Sequence, residues 1–448
     1  MAQDFDEITT IARGSNSGLW DFAIKSVIVL GLLILMYTGF SGQVFSHPLS
    51  IAARHPHAML IAYPALIWTA LSLLLLCLRT VLWLRYRPFD LAGADDAPSL
   101  TVIIPAYNEG EMVARTIDSV AAARYPAGRL EIIAVDDGST DDTYSHMERA
   151  AQRHPGLVTA IRFSKNRGKK AAMEAGFRKA AGEVAVTIDS DSVIEQGALL
   201  AVAGPFRDCS VGAVAGKVVV LNTSDGIIPR MLNVRFIIAF DFIRAAQSTY
   251  GTVVCCPGAL SAYRTSAVRA ALDAWMSQRF LGAECPHGED RALTNYILAA
   301  GYDTVYQNTA VVRTVVPKSY GTLCKMFLRW DRSHVREEIR LIRILWQRPW
   351  KSSLMAAAES LISDIGYPIW YSGLGLLAYL SARHPDIALN TLQTIGLASF
   401  FYTLYYLRSE RSWDFLYGIF YSYLAFFTLF WIFPYATLTM RSKSWLTR

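Results

Sequence analysis

Apolar and polar positions divide the chain into two kinds of territory. Three long runs, Ala58 to Leu78, Ile387 to Leu407 and Phe415 to Met440, contain no Asp, Glu, Lys, Arg or His. Each reaches the ~20 residues that a membrane-crossing helix needs. Val27 to Ser46 is a fourth such run and Ile365 to Ala382 a shorter fifth. Core helices of that length in soluble proteins carry a polar face, so the runs predict membrane spans. Between them the pattern changes. TVIIP (from Thr101), LEIIAV (from Leu130), VTAIRF (from Val158) and VAVTI (from Val184) are short apolar runs that read as buried strands. Each is followed by a polar loop, and EMVARTIDSVAAARY places Val113, Ile117 and Val120 on one helical face. Strands alternating with helices predict an α/β domain built on a mostly parallel sheet.

The expected organisation follows. Residues 1–25 form an N-terminal segment, 26–85 two spans, 86–320 the α/β domain, 321–352 amphipathic interface helices, 353–440 a C-terminal membrane region and 441–448 a tail. The chain is 53% hydrophobic and only 18% charged, against roughly 25% charged for an ordinary soluble domain. The first apolar run follows an acidic start, lacks a small-residue cleavage site and is soon followed by a second, so it does not read as a cleaved signal. Arg79, Arg85 and Arg87 close the second span, which places the central domain in the cytoplasm by the positive-inside rule. The net charge of +6 is partly that basic flank, and without RNP, zinc-finger or helix-turn-helix patterns it does not indicate nucleic acid. The six cysteines show no CxxC spacing and are expected to be reduced thiols.

The chemistry gathers at strand ends. In parallel α/β sheets ligands bind beyond the carboxyl ends of the strands, and here those ends carry Glu109, Asp136, Asp137, Asp189 and Asp191. The dinucleotide GxGxxG turn and the GxxxxGK[ST] phosphate loop are both absent. In VTIDSDSV (Val186 to Val193) two carboxylates one residue apart repel unless a cation lies between them. A divalent metal and the diphosphate it neutralises satisfy that requirement.

PAYNEG, VDDGSTDDT, NRGKKAAMEAGF, IDSDS, CCPGALSAYR, HGEDRALT and FLRWDRS occur in this order over residues 99–345. That succession resembles membrane-embedded family-2-type processive glycosyltransferases, in particular hyaluronan synthases and nodulation-type chitin-oligosaccharide synthases. The resemblance implies a cytoplasmic α/β GT-A domain (a Rossmann-like mixed sheet) set between transmembrane helices. It implies an inverting transferase that polymerises sugar from a UDP-sugar, UDP-GlcNAc alone or alternating with UDP-glucuronate, and secretes the polymer through its own spans. Tyr107, Glu109, Asp137, Lys169, Asp189 and Arg329 are implied to bind the nucleotide donor. Asp191 would ligate Mn2+ or Mg2+, and Asp290 would be the general base. Gly258, Arg264, Glu289 and Trp330 would border the acceptor. Several of these positions also have a plainer reading. Glu289 and Asp290 could cap a helix, Gly258 could serve a tight turn, Lys169 and Lys170 could be exposed helix-start lysines, and Trp330 could anchor at the membrane interface. Arg329-Trp330 matches the RW of a QxxRW motif, with Met326 where Gln is usual.

Around that motif, Arg329, Arg332, Arg336, Arg340 and Arg343 share one helical face, and Val335, Ile339, Ile342 and Trp346 another. A basic amphipathic helix with aromatic anchors reads as interfacial. The tail SWLTR resembles a cytoplasmic motif of hyaluronan synthases, whereas five spans from an inside N-terminus would leave it outside. Pro434 is the candidate break that resolves the conflict. A single-step transferase acting on a lipid carrier shares most of these motifs and remains the alternative. A non-enzymatic sugar-nucleotide-binding protein is a third possibility.

Overall fold

The computed structural model describes residues 17–40, 49–55, 57–285 and 287–442. Most of the N-terminal segment, the end of the run Val27 to Ser46 and the SWLTR motif therefore lie outside the described residues. Its helices are α1 (Ser17–Phe40), α2 (Met59–Arg85), α3 (Met112–Ala121), α4 (Thr143–Arg153), α5 (Lys169–Lys179), α6 (Ala198–Ala203), α7 (Ile227–Ile238), α8 (Ala245–Ser248), α9 (Thr265–Met276), α10 (Glu289–Ala299), α11 (Tyr320–Leu345), α12 (Trp350–Arg383), α13 (Pro385–Ser409), α14 (Phe415–Leu424) and α15 (Ile432–Leu438). Its strands are β1 (Leu100–Ala106), β2 (Leu130–Asp136), β3 (Val158–Arg162), β4 (Val184–Thr187), β5 (Ser192–Ile194), β6 (Val211–Val220), β7 (Ser261–Arg264), β8 (Arg279–Phe280), β9 (Ala283–Glu284) and β10 (Asp303–Thr314).

The chain divides into two units. One comprises Leu78–Leu361 and Ala425–Arg448, and is built on an eight-stranded sheet of order β3-β2-β1-β4-β7-β6-β10-β5. Its first four strands are parallel, as the alternating pattern predicts, and β7 then runs antiparallel to both β4 and β6. Every residue of β1 and β4 is buried, which is why their sequences are continuous apolar runs instead of alternating ones. The Val113, Ile117 and Val120 stripe of α3 is fully buried, completing one layer against the sheet. The order turns around at β1, which leads to β2 on one side while β4 lies on the other. Loops leaving β1 and β4 therefore border the switch point, where open α/β sheets bind ligands.

The other unit, Met1–Cys77 with Ile362–Leu424, is helical. Its helices are joined by side-chain-to-carbonyl bonds, Trp68 Nε1 to Ile362 at 2.7 Å and Tyr423 Oη to Leu392 at 2.8 Å. Gly366 lets the Trp68 ring lie against its helix.

Among the described residues, α2 and α13 are long and apolar enough to cross a membrane, and the interrupted pair Phe415–Leu429 and Ile432–Leu438 counts as a third if it is one span. Only 11% of the apolar window of α2 is buried. Exposed hydrocarbon on that scale marks a surface for lipid, and the chain is membrane-associated. Ile365 to Ala382 lies in α12, where glycines and aromatic residues dilute the aliphatic ones and the helix falls short of the same criterion. The break in the last segment falls at Phe430 and Trp431, after a π-helical turn Ala425–Leu429, and not at Pro434. Pro434 lies in the first turn of α15, where its missing N–H leaves no bond unmade.

Candidate active site

The loop after β2 holds the site's first fixed point. Asp137 is buried, and its two carboxylate oxygens accept the backbone N–H groups of Arg167 at 2.7 Å and Gly168 at 2.8 Å. Burial pushes its pKa up, and these two bonds oppose that rise. Asp137 thus pins the NRGKK loop and the start of α5. Asp136 beside it accepts the Ser139 N–H. The loop after β1 is tied to the same place, because Asn108 N–H donates to Ser139 Oγ and Glu109 N–H to Thr143 Oγ1. Tyr107, just before them, is exposed.

With α5 so placed, Lys169 reaches across to the loop after β4. Its Nζ lies 2.5 Å from Asp189 Oδ1 and 3.2 Å from Glu289 Oε1. Burial alone would lower the lysine pKa, but Asp189 and Glu289 outweigh it and hold the ammonium charged. Lys170 is not an exposed helix-start lysine either: it is buried, with Nζ 5.1 Å from the centre of the Trp275 ring. Gly258 closes the cluster from the third side. A Cβ there would stand 2.9 Å from Lys169 Nζ and 3.0 Å from Asp189 Oδ1, so the tips of this pair would have to shift to admit a side chain on the CCPGAL backbone.

Glu289 and Asp290 open α10. Gly288 precedes them with φ +79°, and a Cβ there would meet the Ser333 Cβ of α11, so the turn into α10 requires glycine. The two neighbouring carboxylates are driven in opposite directions. Burial raises Glu289, but Lys169 and the charge of Arg329 prevail and hold it below the usual range. Burial raises Asp290, the adjacent Glu289 raises it further, and the net shift is upward. One oxygen of Asp290 accepts its neighbour Arg291's N–H at 2.7 Å, and the other faces Cys255 Sγ at 3.7 Å. Carboxylates pushed apart in this way divide the labour of a site, one staying charged while the other is tuned to trade a proton.

On α11, the Trp330 ring packs 5.7 Å from Phe327 and 6.1 Å from Phe236, with the Arg235 guanidinium 6.0 Å from its centre. Asp191 accepts Thr314 Oγ1 from the end of β10 at 3.2 Å. Among the described residues no three His, Cys, Asp or Glu side chains stand together as a metal cage. A single oxygen-donor carboxylate suits a hard cation that keeps waters and shares its remaining positions with substrate phosphate. It does not suit a closed structural site.

Tyr107, Glu109, Asp137, Lys169, Asp189, Gly258, Glu289 and Asp290 thus fall on the loops and helix starts at this end of the sheet. One expectation changes. Arg264 lies away from the strand ends: it pairs with Val184 at the far end of β4, and its guanidinium donates to the carbonyls of Phe206, Asp208 and Val211. An arginine ending a strand serves here as a backbone tie, which the CCPGALSAYR spacing does not reveal. Glu289, expected to border the acceptor, is also the second carboxylate of Lys169. Sequence reasoning also placed Cys255 only among the reduced thiols, although its Sγ faces Asp290. No pattern signals that contact.

Comparison with known proteins identifies the family. The description of Glycosyl transferase family 2 matches residues 101–272. An N-acetylglucosaminyltransferase of Azorhizobium caulinodans is 30% identical over 365 residues, which cover 80% of this chain and 91% of that protein. The chain belongs to glycosyl transferase family 2. A protein of the same description from Rhizobium sp. is 35% identical over 262 residues, 57% of either chain, so the glycosyltransferase matches little more than half the length of that relative. A mannosyltransferase from Pyrobaculum calidifontis, solved with GDP-Man and Mn2+, superposes with a TM-score of 0.58 at 23% identity, covering 80% of this chain and 98% of that one. That likeness establishes the GT-A-like fold of the family 2 domain.

Proposed function

We propose that this chain transfers N-acetylglucosamine from UDP-GlcNAc to a sugar hydroxyl with inversion, repeats the transfer on its own product, and passes the growing chain into the membrane. The observation that carries the transfer is the pairing of Lys169, Asp189 and Glu289 beside an Asp290 whose pKa is raised. A sugar hydroxyl is a weak nucleophile, and an acidic group tuned upward is suited to take its proton. In the proposed step the hydroxyl oxygen bonds to the donor's anomeric carbon, the bond from that carbon to the diphosphate breaks, and the hydroxyl proton goes to Asp290. UDP departs.

The positive ends of Lys169 and Arg329 lie on the side where diphosphate charge grows. Lys169 must exchange part of its hold on Asp189 for the donor, and Asp137 keeps the loop from moving as it does so. Mn2+ or Mg2+, held by Asp191 together with the diphosphate, would supply charge neutralisation for the leaving group. Trp330, braced by Phe327 and Phe236, offers a flat face for the acceptor sugar. The names of the relatives support the choice of GlcNAc, and the candidate spans support export. Arg79, Arg85 and Arg87 support a cytoplasmic catalytic domain.

The test is label incorporation by the full chain in nanodiscs with Mn2+, offering each UDP-sugar singly and in pairs and sizing the products. A ladder or smear from UDP-GlcNAc, alone or with UDP-glucuronate, is expected. One short lipid-extractable product would replace this reading with single-step transfer. No incorporation from any donor would overturn it.

A further inference from the structure

Helix α11 distributes its side chains in a way a soluble helix would not. Arg332, Arg336, Glu337 and Glu338 are buried, whereas Ile339 and Ile342 are each 42% exposed and Trp346, just beyond the helix, is 86% exposed. Beside this exposed stripe lies a cavity of about 530 Å³, lined by Arg279, Arg336, Arg340 and Arg343 together with Leu281 and Ile339. Four arginines line this one hollow, and the charges opposing them are few. Glu284 stands 3.8 Å from Arg279. Glu337 stands 4.0 Å from Arg336 Nε but is already taken by the amides of Gln278 and Asn295. Among the described residues no carboxylate lies within ion-pair distance of Arg340 or Arg343, and Arg340 stacks 3.6 Å from the centre of the Tyr296 ring. Arg336 is only 4% exposed, and its Nε has no hydrogen-bond partner.

We propose that this hollow binds the phosphate of an anionic phospholipid, with the arginines on the headgroup and Leu281, Ile339 and Trp346 against the acyl chains. Arginine forks match phosphate oxygens, and exposed apolar side chains beside the cations separate a lipid from a soluble anion. The site would act on the catalytic end of the molecule through one contact. Arg336 also donates to the carbonyl of His287, the residue before the Gly288 turn that presents Glu289 and Asp290. Headgroup binding would brace that turn, and anionic lipid would then be an activator.

The test reads lipid binding and does not depend on which sugar is transferred. The purified full chain in detergent is titrated with dioleoylphosphatidylglycerol or dioleoylphosphatidylcholine, and retained lipid is counted by native mass spectrometry. Phosphatidylglycerol should be retained preferentially, and Arg340→Gln and Arg343→Gln should each weaken retention about fivefold, as expected for one surface cation near anionic lipid. The double lysine variant, Arg340→Lys with Arg343→Lys, should keep most of it, which separates lost charge from lost folding. Equal retention of phosphatidylcholine would overturn the proposal, as would full retention by the glutamine variants. Displacement of the lipid by millimolar inorganic phosphate would also overturn it and identify a soluble-anion site.

Discussion

The two halves of the catalytic site hold their charges by different means. At the strand ends, carboxylates are met by backbone N–H groups or by one lysine: Asp137 accepts two N–H groups of the NRGKK loop, and Asp189 takes Lys169. At the junction of α10 and α11, side chains of the two helices bond to one another and to backbone carbonyls in a buried interface. There Arg291 contacts His334 and Glu338, Asn295 donates to Glu337, and Arg336 donates to the His287 carbonyl. A backbone donor cannot move without unfolding the loop, so Asp137 is held rigidly, whereas the Lys169–Asp189 pair can shift. The second arrangement depends on helix packing around Asp290. On the proposed reading, the donor side has one rigid anchor and the base side is set by that packing.

The sharpest way to break this contrast is Asp290→Asn, which keeps the shape and removes the proton acceptor. Label incorporation should fall by about 10²–10⁴-fold, the usual worth of a general base, while UDP binding by calorimetry is unchanged. The wild-type pH profile carries the sign. Burial and Glu289 raise the Asp290 pKa, and the base must be unprotonated. Activity should therefore fall as pH drops through a value above the ordinary aspartate range. An acid limb at the ordinary value would remove Asp290 from that role.

Next comes the link between the halves. Lys169→Met leaves Asp189 and Glu289 without their shared cation. Breaking a well-buried pair costs about 3–5 kcal/mol. Here the lysine is 23% exposed and Asp189 28%, so solvent screens part of the loss. A loss of about 1–3 kcal/mol in thermal stability is expected, together with a weaker donor Kd. Adding Glu289→Gln should recover part of the stability but not the donor affinity, because it removes a stranded charge without replacing a phosphate ligand. If the double variant recovers both, Lys169 is a structural tie alone.

Legibility followed the same division. Apolar runs ending in acids located the strand ends, because fully buried strands must be continuous in hydrophobicity and their polar ends must face a ligand or water. Lys169, Asp189 and Asp290 were readable on that ground together with the order of motifs. Arg264 was misread because a guanidinium that ties carbonyls at the back of a sheet is written with the same letter as one that binds substrate. The arginine face of α11 was readable as a helical face, but not as partly buried. Periodicity assigns a side to each residue, and only packing says which side is in. The Arg291, His334 and Glu338 group could not be read, since Arg291 lies on α10 and its two partners on α11, and no local pattern couples the helices.

Asp331 supplies the smallest and most specific test of the tuned half. Burial pushes its carboxyl up to about 6, although Arg235 and Arg291 oppose the shift. An unfolded aspartate titrates near 3.9. Between those values the folded chain holds a proton that the unfolded chain has released, so folding stability from this group declines as pH rises from about 4 to about 6 and stays lower above it. The shift corresponds to at most about 3 kcal/mol, and solvent at this incompletely buried position lowers the expected figure to roughly 1–2 kcal/mol. Asp331→Asn removes the charge and keeps the volume. Thermal unfolding in detergent should find the variant more stable than wild type at pH 7.5 and equal to it at pH 4. A variant less stable at pH 7.5 would mean that the charged form is bound in place by Arg235 and Arg291. The base side of the site would then be as firmly fixed as the donor side.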